Sequence, residues 1–239
     1  GKSLYQGMKN YNGISSVVCH LTNTSGAGSS LYGIGYNSYI LTNRHLFRQN
    51  NGPLIVQSSH GRFVVKNTLT LKVAPVGKTD IVIIRMPKDF PPFHSRLRFR
   101  EPHKADRVCL VGAEFQEKYI ASKVSEASQI VDDFGGTFGR HWISTNDGDC
   151  GLPLVSVQDG FIIGLHSLSS TANIANYFAM IPENFEDTCI KKLDALKWDS
   201  HWRYNPNEIS WGSLIIHESK PEEPFRIVKE IHGLQVYEQ

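Results

Sequence analysis

Gly148-Asp149-Cys150-Gly151-Leu152-Pro153-Leu154-Val155-Ser156 sets a cysteine between two glycines in a polar turn and follows it with an apolar, strand-like run. Glycine lets a backbone turn sharply and come close to other groups. Such a turn can aim consecutive amide N–H groups at one point beside the thiol, where the oxyanion of an attacked carbonyl would sit. A buried structural cysteine needs none of this. The stretch therefore reads as an exposed nucleophile in a preorganised loop, provided that a histidine and a carboxylate elsewhere can serve it.

His45 and Asp80 meet that condition. His45 follows Ile40-Leu41-Thr42-Asn43-Arg44, at the end of a strand, where a side chain can face a cleft while its strand stays anchored in the core. Asp80 opens Ile81-Val82-Ile83-Ile84-Arg85-Met86, whose β-branched density is that of a buried strand. Taken alone, Asp80 reads as an edge cap. The order His45, Asp80, Cys150 is base, orienter and nucleophile, as in a chymotrypsin-type triad. Two halves of the chain would then meet at the site, the first supplying His45 and Asp80 and the second Cys150.

Many short β-like runs at close spacing predict an all-β fold of two antiparallel barrels, with short helices and an extended C-terminal tail. Residues 1–117 form the expected N-terminal barrel, 118–220 the C-terminal barrel, and 221–239 the tail. Leu31–Asn43 reads as two strands hinged near Asn37-Ser38, and Asp159-Gly160 as a hairpin turn. Gln116–Ala121 is the expected passage between halves, and the proline-rich Met86–Pro102 a wrapping connection. Phe185, Cys189, Leu193 and Leu196 recur at helical spacing within Pro182–Trp198.

Composition narrows the function. Hydrophobic residues at 40% and charged residues at 20% belong to an ordinary globular protein. No apolar run is long enough for a membrane span, and no signal-peptide core opens the chain. Net charge is only +2, from 25 Lys+Arg against 23 Asp+Glu, which does not argue for a nucleic-acid groove. The four cysteines are widely spread without metal-ligand spacing, so neither a metal nor another cofactor is expected, and free thiols in a reduced compartment are. Cys19 and Cys109 lie in apolar runs as buried thiols. Gly33-Ile34-Gly35 lacks the third glycine and the following helix of a dinucleotide site.

Several stretches together carry a family resemblance: Gly33-Ile34-Gly35, Thr42-Asn43-Arg44-His45-Leu46-Phe47, Asp80-Ile81-Val82-Ile83-Ile84-Arg85, Met86-Pro87-Lys88-Asp89-Phe90-Pro91-Pro92-Phe93, His141-Trp142-Ile143, Gly148-Asp149-Cys150-Gly151 and Gly164-Leu165-His166-Ser167. On these the sequence resembles the nuclear-inclusion-a protease of potyviruses, up to about Trp211-Gly212. The resemblance implies a trypsin-like double barrel and a viral polyprotein-processing cysteine endopeptidase. It implies His45 as general base and acid, Asp80 as orienter, Cys150 as nucleophile, and Gly148, Asp149 and Cys150 as the oxyanion hole. His166 with Thr145 would line a pocket for a glutamine at the cleavage point, ahead of a small residue. Asp147, Ser169, Asn173, Asn176 and Tyr177 would border the groove, and Trp211 with Leu214, Ile215 and Ile216 would meet the substrate as an added strand. The remaining histidines, His141 among them, are read as surface or structural. A peptide substrate is the implied partner, with viral replication proteins and RNA beside it, in host cytoplasm and nucleus. An RNA-binding scaffold on the same fold is the second reading. Leu234-Gln235-Val236-Tyr237-Glu238-Gln239 reads as the non-primed half of a preferred substrate, anchored by Val236 and Gln239, with self-release from a polyprotein leaving such an end.

Overall fold

The computed structural model describes residues 11–24, 29–48, 52–115, 120–170, 175–200, 202–211, 215–216, 226–231 and 234–239. Its first half forms β1 (Val18–Asn23), β2 (Ser29–Tyr36), β3 (Tyr39–Asn43), β4 (Leu54–Ser58), β5 (Gly61–Val65), β6 (Lys72–Pro75) and β7 (Ile81–Arg85). β2 and β3 are the predicted hinged pair, and Asn37 turns between them at φ 51. These strands make one antiparallel sheet ordered β6-β7-β3-β2-β1-β4-β5. β3 and β7 lie side by side within it, with Asn43 opposite Ile81. That register sets the residues just beyond the two strand ends, His45 and Asp80, next to each other.

The second sheet begins with β8 (Arg107–Phe115), β9 (Ile120–Val124), β10 (Ser128–Gln129), β11 (Val131–Gly135) and β12 (Phe138–His141). It continues with β13 (Pro153–Ser156), β14 (Ile162–Ser170) and β15 (Asn176–Met180) in the order β10-β8-β13-β14-β15-β12-β11. Gly160, at φ +77, makes the predicted turn between β13 and β14. Two antiparallel sheets with a few short helices give the expected all-β, chymotrypsin-like architecture.

The division of the chain differs from expectation. Of the expected passage Gln116–Ala121, residues 116–119 lie outside the described residues, and the strands on either side, β8 and β9, pair antiparallel with Phe115 opposite Ile120. β8 itself, assigned to the first half, hydrogen-bonds into the second sheet through β13. The crossing is the proline-rich stretch, whose prolines interrupt any continuous ladder and whose remaining N–H groups lace both sheets together. Phe93 N–H donates to Asn37 O at 2.8 Å on the first sheet, and Arg100 N–H to Ile162 O at 3.1 Å on the second. Gly35 makes room for this lacing: a Cβ there would lie 2.2 Å from the Phe93 ring.

The segment after β15 also returns to the first sheet. Phe185, Cys189 and Leu193 are buried as their spacing predicts, but on a short α-helix (Phe185–Thr188) followed by a 3-10 helix (Ile190–Ala195). Trp198 stacks on Tyr39, Trp202 packs edge-on against Phe47, and β16 (Asp199–Ser200) pairs with β6. The predicted tail is not merely extended. β17 (Ile215–Ile216), β18 (Arg226–Ile231) and β19 (Leu234–Glu238) form an antiparallel set in which β19 also pairs with β14.

Arg44 fixes the turn that delivers Asp80. Its buried guanidinium donates to Thr79 O and Gly77 O, both at 2.8 Å, and its own N–H donates to Asp80 O at 2.9 Å. Burial lowers its pKa against the pull of Asp80 and Glu208. Arg44→Met keeps the apolar stem but strands the buried Thr79 carbonyl and the part-buried Gly77 carbonyl, so a loss of about 2 kcal/mol is expected in urea unfolding.

Candidate active site

The 3-10 turn Arg44–Phe47 carries His45 off the end of β3, and Asp80 precedes β7. His45 Nδ1 lies 2.7 Å from Asp80 Oδ2, and His45 N–H donates to Asp80 Oδ1 at 3.1 Å. Asp80 Oδ2 also accepts from Ser167 Oγ and, at 3.4 Å, from Asn43 Nδ2. Burial raises the carboxyl's pKa, but these donors outweigh it and hold Asp80 below the usual carboxylate range. Burial likewise opposes charge on His45, yet Asp80 and Glu238 beside it raise its pKa well above the ordinary value. With Nδ1 committed to Asp80, Nε2 is the ring nitrogen left over, and the imidazole acts electrostatically on the Cys150 thiol. Burial pushes the thiol up to about 11 against the pull of His45. Contrary to the exposed nucleophile expected, Cys150 is fully buried, and its single S–H donates to Ser167 O at 2.9 Å.

Glycine is required where the sequence places it around the cysteine. Gly148 and Gly151 sit at φ +94 and +86, in the left-handed region, and a Cβ on Gly151 would lie 1.7 Å from Tyr32 O. The close approach lets Tyr32 N–H donate to Cys150 O at 2.7 Å from the first sheet, while Gly151 N–H donates to His166 O at 2.8 Å on the second. Asn43 Nδ2 reaches the same His166 O at 3.1 Å.

β14 is bulged between His166 and Leu168. β13 leaves its edge after Leu165, and β19 takes the edge beyond, with Leu168, Ser169 and Ser170 opposite Glu238, Tyr237 and Val236. The chain's own Val236–Gln239 thus lies in the groove. Val236 is wholly buried, and Tyr237 OH donates to Asp147 Oδ1 at 3.0 Å. The Gln239 side-chain oxygen accepts from Thr145 Oγ1 and His166 Nε2, each at 2.5 Å. Gly148 N–H donates to the Gln239 main-chain oxygen at 2.6 Å, where an oxyanion donor would stand.

Some assignments change. Asp149 N–H donates to Asn146 O at 3.1 Å, and the Asp149 carboxylate accepts Asn146 N–H, so this residue closes the loop and does not face the oxyanion position. Trp211 is a core residue, stacked on Phe138 and donating to Pro206 O. Ile215 and Ile216 pair with Glu230 and Lys229 of β18, which stands between them and the occupied groove, so the added strand is β18. Asn176 lies opposite Ser169 and donates to Ile143 O at 2.7 Å, bracing the groove wall, and Tyr177 is buried opposite Leu168. Asn173 and Leu214 lie outside the described residues.

His141, read from sequence as structural, stands directly behind His166. Ile143 N–H donates to His141 Nδ1 at 3.1 Å, which leaves that nitrogen without a proton. The His141 proton is therefore on Nε2 and points at His166 Nδ1, 3.0 Å away. His166 must then carry its proton on Nε2, toward Gln239. Burial lowers both pKa values, His141 to well below its ordinary value and His166 to about 4. Ser167, Asn43 and His141 were not singled out from the sequence. Ser167 adjoins His166 on a strand, and alternation there sends one side chain to the pocket and the next to Asp80.

The whole arrangement has close relatives. The family model "Peptidase family C4" matches residues 1–232. The genome polyprotein of Papaya ringspot virus (strain P / mutant HA) is 64% identical over the full 239 residues, and the chain spans 7% of that polyprotein's length. Among solved structures, catalytically active tobacco etch virus protease complexed with product aligns at TM-score 0.80 and 52% identity, over 86% of this chain and 90% of that one. Tobacco vein mottling virus protease aligns at TM-score 0.83 and 47% identity, over 88% and 97% of the two chains.

The histidine pair sets a pH dependence. An unfolded histidine titrates near its ordinary value of 6.5, whereas folded His166 stays neutral down to about 4. The unfolded state binds the extra proton between these values, so stability falls as pH drops from about 6.5 to 4, by about 3 kcal/mol for His166 alone. Nitrogen-15 NMR of the imidazoles should show a neutral Nε2–H tautomer at His166 throughout that window, and His141→Phe should release the tautomer to a mixture.

Proposed function

The chain belongs to peptidase family C4, and we propose that it is a potyviral polyprotein-processing cysteine endopeptidase that cuts after glutamine, using Cys150, His45 and Asp80. The observation that supports this most is Gln239: its amide oxygen rests between Thr145 and His166 while its main-chain oxygen meets Gly148 N–H. That is the pose of a residue whose carbonyl carbon is presented to the thiol.

In this reading His45 takes the Cys150 proton as the sulfur attacks the carbonyl, and the N–H groups of Gly148 and Cys150 receive the oxyanion. His45 then protonates the leaving amine, and water hydrolyses the thioester. Asp80 orients the imidazole and supports its positive charge. Specificity follows from hydrogen-bond chemistry. A neutral His166 and a hydroxyl both donate to one amide oxygen, whereas a glutamate would bring a charge to an imidazole that burial keeps neutral. Val236 and Gln239 would be the two anchors of the non-primed side, and a small residue would follow the cut. The family resemblance extends the proposal to host cytoplasm and nucleus as the site of action, with viral replication proteins and RNA as partners. With a net charge of +2, RNA binding ranks second to proteolysis.

Incubation with Leu-Gln-Val-Tyr-Glu-Gln-Ser-Gly should release Leu-Gln-Val-Tyr-Glu-Gln, identified by mass and sequence. Replacing the last Gln of that motif by Leu should lower kcat/KM about 10⁴-fold, since both pocket donors lose their acceptor. An intact peptide, or cleavage elsewhere, refutes the assignment. Cys150→Ala should abolish turnover, while Asp80→Asn should retain more of it, because a thiol ionises more readily than a hydroxyl. Equal loss in folded variants counts against that division of roles.

A further inference from the structure

Glu238, immediately before the glutamine in the groove, is held in a way that the cleavage chemistry does not require. Its carboxylate is only 5% exposed, and burying an unpaired carboxylate is costly. Arg48 answers it: Nε donates to Oε1 at 2.7 Å, and Nη2 stands 2.7 Å from the same oxygen. Arg48 is itself fixed. Its guanidinium lies over the Tyr204 ring, 4.8 Å from the centroid, and Nη2 donates to Tyr204 OH at 3.2 Å. Tyr204 OH points in turn at Glu238 Oε2, 3.5 Å away. Arg48 follows the His45 turn, and Tyr204 lies on the segment that returns across the first sheet after β16. Two distant parts of the chain therefore build one cationic seat beside the catalytic base, with Glu238 Oε2 3.3 Å from His45 Nδ1.

We propose that Arg48, held against Tyr204, forms a subsite that reads an acidic side chain at the position preceding the glutamine. This rests on the proposed cleavage after glutamine and adds a second, charge-based criterion to it. A carboxylate there completes the seat. A neutral amide leaves Arg48 unanswered in a partly dry pocket, and a lysine meets a like charge. A fixed planar guanidinium suits carboxylate geometry better than a flexible ammonium would, so the seat is specific in shape as well as sign.

The test uses the full chain and three peptides, Leu-Gln-Val-Tyr-X-Gln-Ser-Gly with X = Glu, Gln or Lys. The expected order of kcat/KM is Glu, then Gln, then Lys, with Glu about tenfold or more above Lys. Arg48→Glu should reverse the order of the Glu and Lys peptides, and Arg48→Gln should flatten it. Tyr204→Phe should narrow the spread without reversing it. Circular dichroism melting of each variant separates misfolding from altered choice, and the wild-type profile stands without any variant. Equal cleavage of the three peptides by the wild type overturns the acidic subsite and leaves the glutamine reading intact. No cleavage of any of them overturns the glutamine reading itself.

Discussion

One buried carboxylate holds the two sheets in working register. Asp80 sits at the head of the most apolar strand of the first sheet and accepts from His45 twice, from Asn43, and from Ser167 of the second sheet. A carboxylate without those donors could not remain ionised in so dry a place. Each donor is therefore as much a condition for the charge as a consequence of it. Because Ser167 belongs to β14, which also carries His166 and borders the thiol, the contact between halves and the placing of His45 beside Asp80 rest on one and the same set of bonds.

The loop around Cys150 shows the same economy from the other side. Tyr32 of the first sheet and His166 of the second each take one main-chain group of Cys150-Gly151, so the proposed nucleophile is gripped from both directions. Only glycine at 151 permits that grip, since any side chain would enter the Tyr32 carbonyl. Rigidity of this kind is what presented donors need if they are to meet a developing oxyanion without reorganising.

Much of this was legible in the amino-acid sequence, and what was not has a common cause. Strand pattern gave the β architecture because alternation and β-branched density are local properties. The glycine-flanked cysteine and the order of His45, Asp80 and Cys150 were readable because they are chemical signatures, and the family resemblance sharpened them. Ser167, Asn43, Arg48, Tyr204 and His141 carry no local signature: their meaning comes from partners far along the chain, such as Tyr204 for Arg48 or Asp80 for Ser167. Errors had the same origin. Gln116–Ala121 reads as a linker because the pairing of β8 with β9 is not a local property, and Asp149 reads as an oxyanion donor because its closure on Asn146 exists only in the folded loop. Ile215 and Ile216 were correctly read as strand, but β18 displaced them from the groove.

The segment at 234–239 is paired along both edges, by β14 on one side and β18 on the other. A guest received in that way gives up its main-chain donors and acceptors to the host in both directions, so it must arrive with none already spent. A stretch wound into a helix, or stitched into the interior of another sheet, has nothing left to offer. If the chain cleaves as proposed, its groove selects on conformation before it selects on side chains: correct residues inside a folded domain would be passed over, and the same residues in a slack connector between domains would be taken.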